Sequence, residues 1–351
     1  CEKGMKELLN SPSSDVYFYA SNGHGVWEAV AANLGSDNHS LLIAGSGHFS
    51  DQWAIQTQGL GLSVIRTPHQ DGQRIDVSAI EAALKADTAH RISAVMAVHT
   101  DTASGMTSDL AAIRQAIDRT GHPALYVVDV VASLAAAPFD MDALGVDVCL
   151  GSSQKGLMMP PGLGFVAANA KAFEWSIQHA KPRFYWSWQE RKTDNQSAKF
   201  CGTPPLAHMA GLEVSLGLLK AEGLDAVHAR HQRLGGAVQA AVRCWATAGA
   251  VKLHCKDPLG FSSSVTAVEV SPGIDPEALR VVAREKFQVA MAGGLGPLAG
   301  RVFRIGHLGD MNEPMILGAL AGIEAAMTVQ KIPYGPNGMA AAIAYLAQHT
   351  P

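Results

Sequence analysis

Along the first half of the chain, short apolar and β-branched runs alternate with longer stretches in which apolar residues recur every three or four positions. Continuous apolar runs fit strands buried on both faces, and the longer period fits helices lying over them. The pattern therefore predicts a parallel sheet covered by helices on both sides. The expected strands are residues 16–20, 41–45, 62–68, 92–100, 124–131, 146–153 and 163–168. Helical spacing marks 25–34, 76–87 and 108–121, the last with Ser108 as N-cap and Gly121 as its stop. The order reads β-α-β-α throughout.

The long stretch PPLAHMAGLEVSLGLLKAEGLDAVHARHQRLGGAVQAAVRCWATAG is helical in spacing. Beyond it, strands at 264–270 and 301–309 are interleaved with two helices. This predicts a large α/β domain over 1–222 and a smaller α+β domain over 223–351, with the long helical region as the joint. A chain of 351 residues suffices for two cores of that size.

Composition narrows the partners. Apolar residues are 48% and charged residues 17%, as in a globular protein that buries much of its surface. The formal net charge is −4 without a block of like charges, which leaves no footprint for nucleic acid or an anionic membrane and favours a small-molecule partner. No apolar run reaches membrane-spanning length, and the first residues lack the apolar segment of a signal peptide. Five scattered cysteines without metal-type spacing read as reduced thiols in a cytoplasmic protein. The 14 histidines are dispersed; His228 and His231, without a nearby acid, read as surface residues, and no metal site is expected.

The chemistry lies at strand ends. ALYVVDVVASL places Asp129 at the C-terminal end of an apolar run, where open α/β sheets bind ligands. The next strand, VDVCLGSSQKG, ends in Lys155. Alone, such an Asp can be a helix cap or turn residue, and such a Lys is usually solvated. Together they supply what a pyridoxal 5′-phosphate (PLP) enzyme needs: an amine that forms a Schiff base and moves a proton, and a carboxylate that pairs with the pyridinium.

The stretch YVVDVVASLAAAPFDMDALGVDVCLGSSQKGLMMPPGLGF resembles the PLP segment of fold-type I, class V aminotransferases, especially the serine–glyoxylate and alanine–glyoxylate group. The resemblance extends through ASNGHGVWEA, HTDTASGMTSDL, GGLGPLAGRVFRIGHLG and GMAAAIAYLAQ. It implies a fold-type I PLP transferase, with a mostly parallel sheet in a large domain and a smaller C-terminal α+β domain. By the same resemblance Lys155 is the Schiff-base lysine and Asp129 the ring-nitrogen partner. Val131 is the apolar ring contact, Thr102 the hydroxyl near the ring oxygen, and Phe49 the stacking aromatic, where the family often has Trp.

The implied phosphate cup lies at the turn Ser21–Gly25, where the N–H groups of Gly23 and His24 open a helix, with Gln154 adding an amide. His24 reads equally as a capping residue pointing to solvent. The resemblance also implies a homodimer with shared active sites: the partner's loop supplies Thr203, while Phe200 stands where the family has Tyr. Arg304, inside the apolar pattern of RVFRIGHLG, is the implied anchor for the substrate carboxylate; the bland alternative is a structural ion pair. The family's N-terminal segment, which lies over the substrate, would precede Cys1.

The expected reaction is transamination between a small amino acid (serine or alanine) and a 2-oxo acid (glyoxylate or pyruvate), with serine and glyoxylate first. Alternatives are an aspartate–glyoxylate, ureidoglycine–glyoxylate or pyridoxamine–pyruvate enzyme, or a non-catalytic PLP-fold protein. A cysteine desulfurase would carry His where Gln154 precedes Lys155. TDTASG replaces the more usual NETATG and puts Asp101 near the site.

Overall fold

The computed structural model describes residues 1–181 and 183–350. Its main sheet is built from β1 (Asp15–Tyr19), β2 (Ser40–Ile43), β3 (Ser63–Arg66) and β4 (Ile92–Val98). After the two-stranded hairpin β5 (Thr100–Asp101) and β6 (Met106–Thr107) it continues with β7 (Leu125–Asp129), β8 (Val148–Ser152) and β9 (Gly164–Ala168). All seven strands expected in this half are present, in the spatial order β1-β9-β8-β7-β4-β2-β3.

Every residue of β4 and β7 is buried, as expected of central strands with covered faces. The side chains of β7 divide between two cores: Leu125 and Val127 pack on one face, Tyr126 and Val128 on the other. The β-α-β-α order stops at β7: among the described residues no α-helix separates β7 from β8 or β8 from β9. β9 runs antiparallel to both β8 and β1, because residues 153–163 form a turn containing Gly156, Pro160, Pro161 and Gly162 rather than a helix. A turn that short cannot make a parallel crossover.

The helix Leu110–Thr120 buries Leu110, Ile113, Ala116 and Ile117, the stripe its spacing predicts. Its N-cap is Asp109, not Ser108: Asp109 accepts from the Ala112 N–H at 2.9 Å, whereas the Ser108 hydroxyl is turned to the Ile75 N–H. Gly121 ends it with φ +64°. The long helical region is two helices, Leu206–Glu222 and Leu224–Trp245, broken at Gly223.

The C-terminal part holds an antiparallel sheet of β10 (Val251–Leu253), β11 (Val265–Val270), β12 (Ala292–Gly293) and β13 (Val302–Gly306), ordered β10-β11-β13-β12. Two helices were expected among these strands; the structure has Pro276–Phe287 and Glu313–Val329 and a third, Gly338–Gln348, which forms from the tail and packs on Leu224–Trp245. In β13, Phe303 and Ile305 enter the core beneath these helices, so the two-residue period turns Arg304 to the opposite face. His231 is not a surface residue. It is 1% exposed, bonded through Nδ1 to the Val227 carbonyl, and its Nε2 accepts the Gly309 N–H at 2.9 Å. It thereby satisfies a buried donor in the turn that follows Arg304's strand. His228 is half-buried.

Candidate active site

At the C-terminal ends of the parallel strands lies a cavity of about 190 Å³. Asp129, from the end of β7, and Lys155, from the turn after β8, both line it. The two strands pair side by side, with Asp129 opposite Leu150. The lysine's turn is tightly built: a β carbon at Gly156 would fall 2.1 Å from the Leu134 carbonyl oxygen, so the residue after Lys155 has to be glycine.

Asp129 is 4% exposed, and both of its oxygens are held. Oδ1 accepts from the Val131 N–H and Oδ2 from the Trp27 indole N–H, each at 2.7 Å. Burial pushes its carboxyl up to about 6, although these two donors favour the ionised form and Lys155 adds a weaker pull in the same direction. Lys155 is half-buried. Burial, reinforced by the charge of Arg304, pulls its amine below the usual lysine range against the opposing pull of Asp129.

Asn22, Gly23, His24, Trp27, Phe49, Thr102, Val131 and Gln154 complete the wall with their neighbours. The helix Gly23–Leu34 begins two residues before the expected 25–34, with Asn22 as N-cap accepting from the Gly25 N–H at 3.2 Å. Gly23 lies against Val131 and above the Ser152 hydroxyl. His24 lines the cavity and packs on the Trp27 ring at 4.6 Å, and burial and His48 hold its imidazole below the ordinary range. Phe49 meets Trp27 edge-on at 6.2 Å. Ser152 Oγ and Gln154 Oε1 are buried without a protein partner, which is costly unless a ligand or water satisfies them.

Arg304 reaches the site from the other sheet. Its Nε donates to the Gly293 carbonyl at 2.7 Å and its Nη1 to the Thr102 carbonyl at 2.8 Å. Among the described residues no acid lies within ion-pair distance of it, so the structural ion pair is not what holds it. Its neighbour Arg301 is exposed and pairs with Glu269 at 3.4 Å. Thr203 is not brought to this cavity: it is exposed and lines a separate surface hollow with Phe184 and Cys201.

Three polar groups at the site were not singled out in the sequence: Trp27 and Thr100 line the cavity, and the Ser152 hydroxyl lies beside Gly23. Trp27 lies in a segment legible only as a helix, and Thr100 and Ser152 lie at the ends of expected strands.

Residues 1–297 match the family described as aminotransferase class-V. The chain is 38% identical over 350 residues to the serine–glyoxylate aminotransferase of Methylorubrum extorquens, spanning 98% of this chain and 86% of that one. It is 37% identical to the L-aspartate–glyoxylate aminotransferase of Paracoccus denitrificans, over 99% of this chain and 87% of that one. The crystal structure of pyridoxamine–pyruvate aminotransferase from Mesorhizobium loti superposes with a TM-score of 0.88 at 26% identity, covering 99% of this chain and 88% of that one. An amine and a carboxylate at neighbouring strand ends, in a chain matched to that family over most of its length, make this protein a member of the class V aminotransferases.

Proposed function

We propose that the protein carries PLP on Lys155 and transfers the amino group of serine to glyoxylate. The observation that carries this reading is that Lys155 and Asp129 line one cavity while Arg304, with no acid within ion-pair distance among the described residues, stands at the Thr102 edge of it.

The residues fit the cofactor. The partnerless Ser152 and Gln154 oxygens and the helix N-terminus at Gly23 and His24 suit a phosphate and its water, Phe49 and Val131 suit the two faces of a ring, and Thr102 suits its hydroxyl. PLP supplies an electron sink that makes a proton on the substrate's Cα acidic. Asp129 holds a negative charge against the ring nitrogen. Lys155, whose amine burial makes easier to deprotonate, is the nucleophile and afterwards the proton carrier. Arg304 offers a guanidinium fork to the substrate carboxylate and so sets which bond at Cα is broken.

Serine is preferred over aspartate on charge. Among the described residues Lys155 is the sole Lys or Arg lining the cavity, and with Arg304 committed to the α-carboxylate they leave no further Lys or Arg there for a second one. The relatives named for serine and glyoxylate support the same choice.

The reading includes a homodimer with shared sites. Thr203 is exposed, and Leu206, Val214 and Leu218 on the following helix are 71%, 63% and 55% exposed on one face, a patch suited to a second copy. It also includes a division at residues 1–222 and 223–351, which the break at Gly223 and the separate core of the C-terminal sheet support. No helix among the described residues is long and apolar enough to cross a membrane, and the five free cysteines favour the cytoplasm.

A half-reaction screen tests the function. Serine should discharge the cofactor's visible absorbance and glyoxylate restore it, with aspartate and pyridoxamine slower by at least tenfold. Faster discharge by aspartate would replace serine as the donor.

A further inference from the structure

Three side chains must converge on the proposed cofactor and substrate, and they come from separate elements. Phe49 comes from the first turn of the helix His48–Gly59, Thr102 from the turn between β5 and β6, and Arg304 from β13. One buried acid ties them together. Asp101 is 1% exposed and sits at the end of β5, behind the cavity wall. Its Oδ2 accepts from the Phe49 N–H at 3.0 Å, and its Oδ1 from the N–H groups of Ala103 at 2.8 Å and Ser104 at 3.4 Å. The turn so fixed carries Thr102, whose carbonyl accepts Arg304 Nη1 at 2.8 Å.

The surrounding backbone is shaped for this acid. Gly47, with φ +135°, makes room for it: a β carbon there would lie 2.9 Å from Asp101 Oδ2. At the far end of the turn Gly105 lies flat against Ala267, the residue directly opposite Arg304 across β11 and β13. Burial raises the Asp101 carboxyl, the three backbone donors oppose that, and its charge is the favourable one acting on Arg304. Nothing in the chemistry assigned above uses this carboxylate.

We infer that Asp101 is a positioning residue that fixes the stacking ring of Phe49 relative to the guanidinium of Arg304, so that cofactor seating and substrate-carboxylate binding depend on one buried acid. The inference rests on the site reading proposed above. Asn at this position keeps the shape but sets an NH2 against one of the backbone N–H groups, and Glu keeps the charge one methylene too far out.

The test compares the PLP-loaded parent with Asp101→Asn, Asp101→Glu, Arg304→Lys and the Asp101→Asn/Arg304→Lys double variant. Losing one hydrogen bond to a charged group corresponds to roughly tenfold in binding or more. Asp101→Asn is expected to speed amide exchange at Phe49 and Ala103 in the cofactor-free protein. It should also halve the visible circular dichroism of bound PLP and raise KM about tenfold for amino and oxo acids alike. In the Arg304→Lys background the same change should add less than about twofold to KM, because both act through one contact. Unchanged dichroism and KM despite faster exchange, or KM effects that multiply in the double variant, overturn the inference. If Asp101→Asn does not fold, Asp101→Glu is judged by the same dichroism and KM criteria. A parent that takes up no PLP sinks the function reading and this inference together, whereas a loaded parent with unaffected variants sinks this inference alone.

Discussion

The indole N–H of Trp27 donates to Asp129 Oδ2 at 2.7 Å, and the Trp27 ring lies stacked on Trp53 at 5.6 Å with its edge toward Phe49. One side chain thus joins the carboxylate proposed to hold the ring nitrogen to the aromatic wall of the site. A donor placed on a buried carboxylate favours its ionised form, against the burial that drives Asp129 toward 6. Trp27→Phe keeps the ring and removes the donor, at about 1.5–3 kcal/mol for a hydrogen bond to a charge. The Asp129 titration is therefore expected to move upward by about one to two pH units, which carboxyl carbon NMR of the cofactor-free protein reads directly. An unmoved titration would assign control of this carboxylate to burial and the Val131 N–H alone.

Asp129→Asn retains a hydrogen-bonding oxygen but no charge. The ring nitrogen then has no anion to hold its proton, and several kcal/mol of carbanion stabilisation are lost. Turnover should fall by about 10²-fold or more, at about 1.4 kcal/mol per decade, with cofactor still bound. Near-normal turnover in the variant would mean that the carboxylate serves another purpose.

Lys155→Ala removes the proposed covalent anchor and proton carrier from a turn whose shape is set by Gly156 and the Leu134 carbonyl rather than by the lysine side chain. The variant should fold and show no turnover. In the parent, borohydride reduction and peptide mapping should find the pyridoxyl group on Lys155; a different modified lysine refutes the assignment.

The strands were legible because central parallel strands are continuous apolar runs, and Asp129 and Lys155 because each interrupts the polarity pattern at such a run's end. The antiparallel direction of β9 was not legible, since an apolar run carries no direction and only the Pro- and Gly-bearing turn before it does. His231 was misread for a related reason. Helical spacing shows which face a residue occupies, but the Gly309 donor that makes the histidine a buried partner comes from 78 residues away. Trp27 failed to stand out because an aromatic at helical spacing usually fills core, as this one also does. The Ser108 cap lost to its neighbour Asp109, a one-residue ambiguity common at helix ends.

Arg304→Lys keeps the charge and loses the fork. The Nε bond to Gly293 and the Nη1 bond to Thr102 cannot both be reproduced by one ammonium that also meets a carboxylate. KM for amino and oxo acids should rise together by about tenfold or more, with PLP affinity close to the parent's. Loss of PLP or of folding with KM unchanged would make Arg304 structural and move the anchor elsewhere.

Stability toward acid follows from two buried histidines. His99 shares a hydrogen bond with the Ser133 hydroxyl, and His307 lies between Thr266 Oγ1 and the Ser263 carbonyl; burial pulls both imidazoles down to about 4 from an ordinary 6.5. Their folded values are depressed, so below 6.5 the unfolded chain binds more protons than the folded one. Stability held above that pH is lost as pH falls toward 4, by roughly 3 kcal/mol for each residue. Asp129 works in the opposite sense. Its folded value is raised to about 6, so its contribution is present below the ordinary carboxylate value of 3.8 and is lost as pH rises through 6. Burial raises Asp101 in the same sense as Asp129, but it also holds His231, His228, His122, His39 and His24 below the ordinary range like His99 and His307. The histidines therefore outweigh the two carboxylates, and cofactor-free protein should lose stability between pH 6.5 and 4. His307→Gln can keep a donor for Thr266 or Ser263 but cannot gain a proton, so it should flatten that slope while lowering stability at pH 7.5. Urea midpoints measured at half-unit steps from pH 7.5 to 4 decide it: equal slopes in parent and variant would show that His307 does not govern the acid limb.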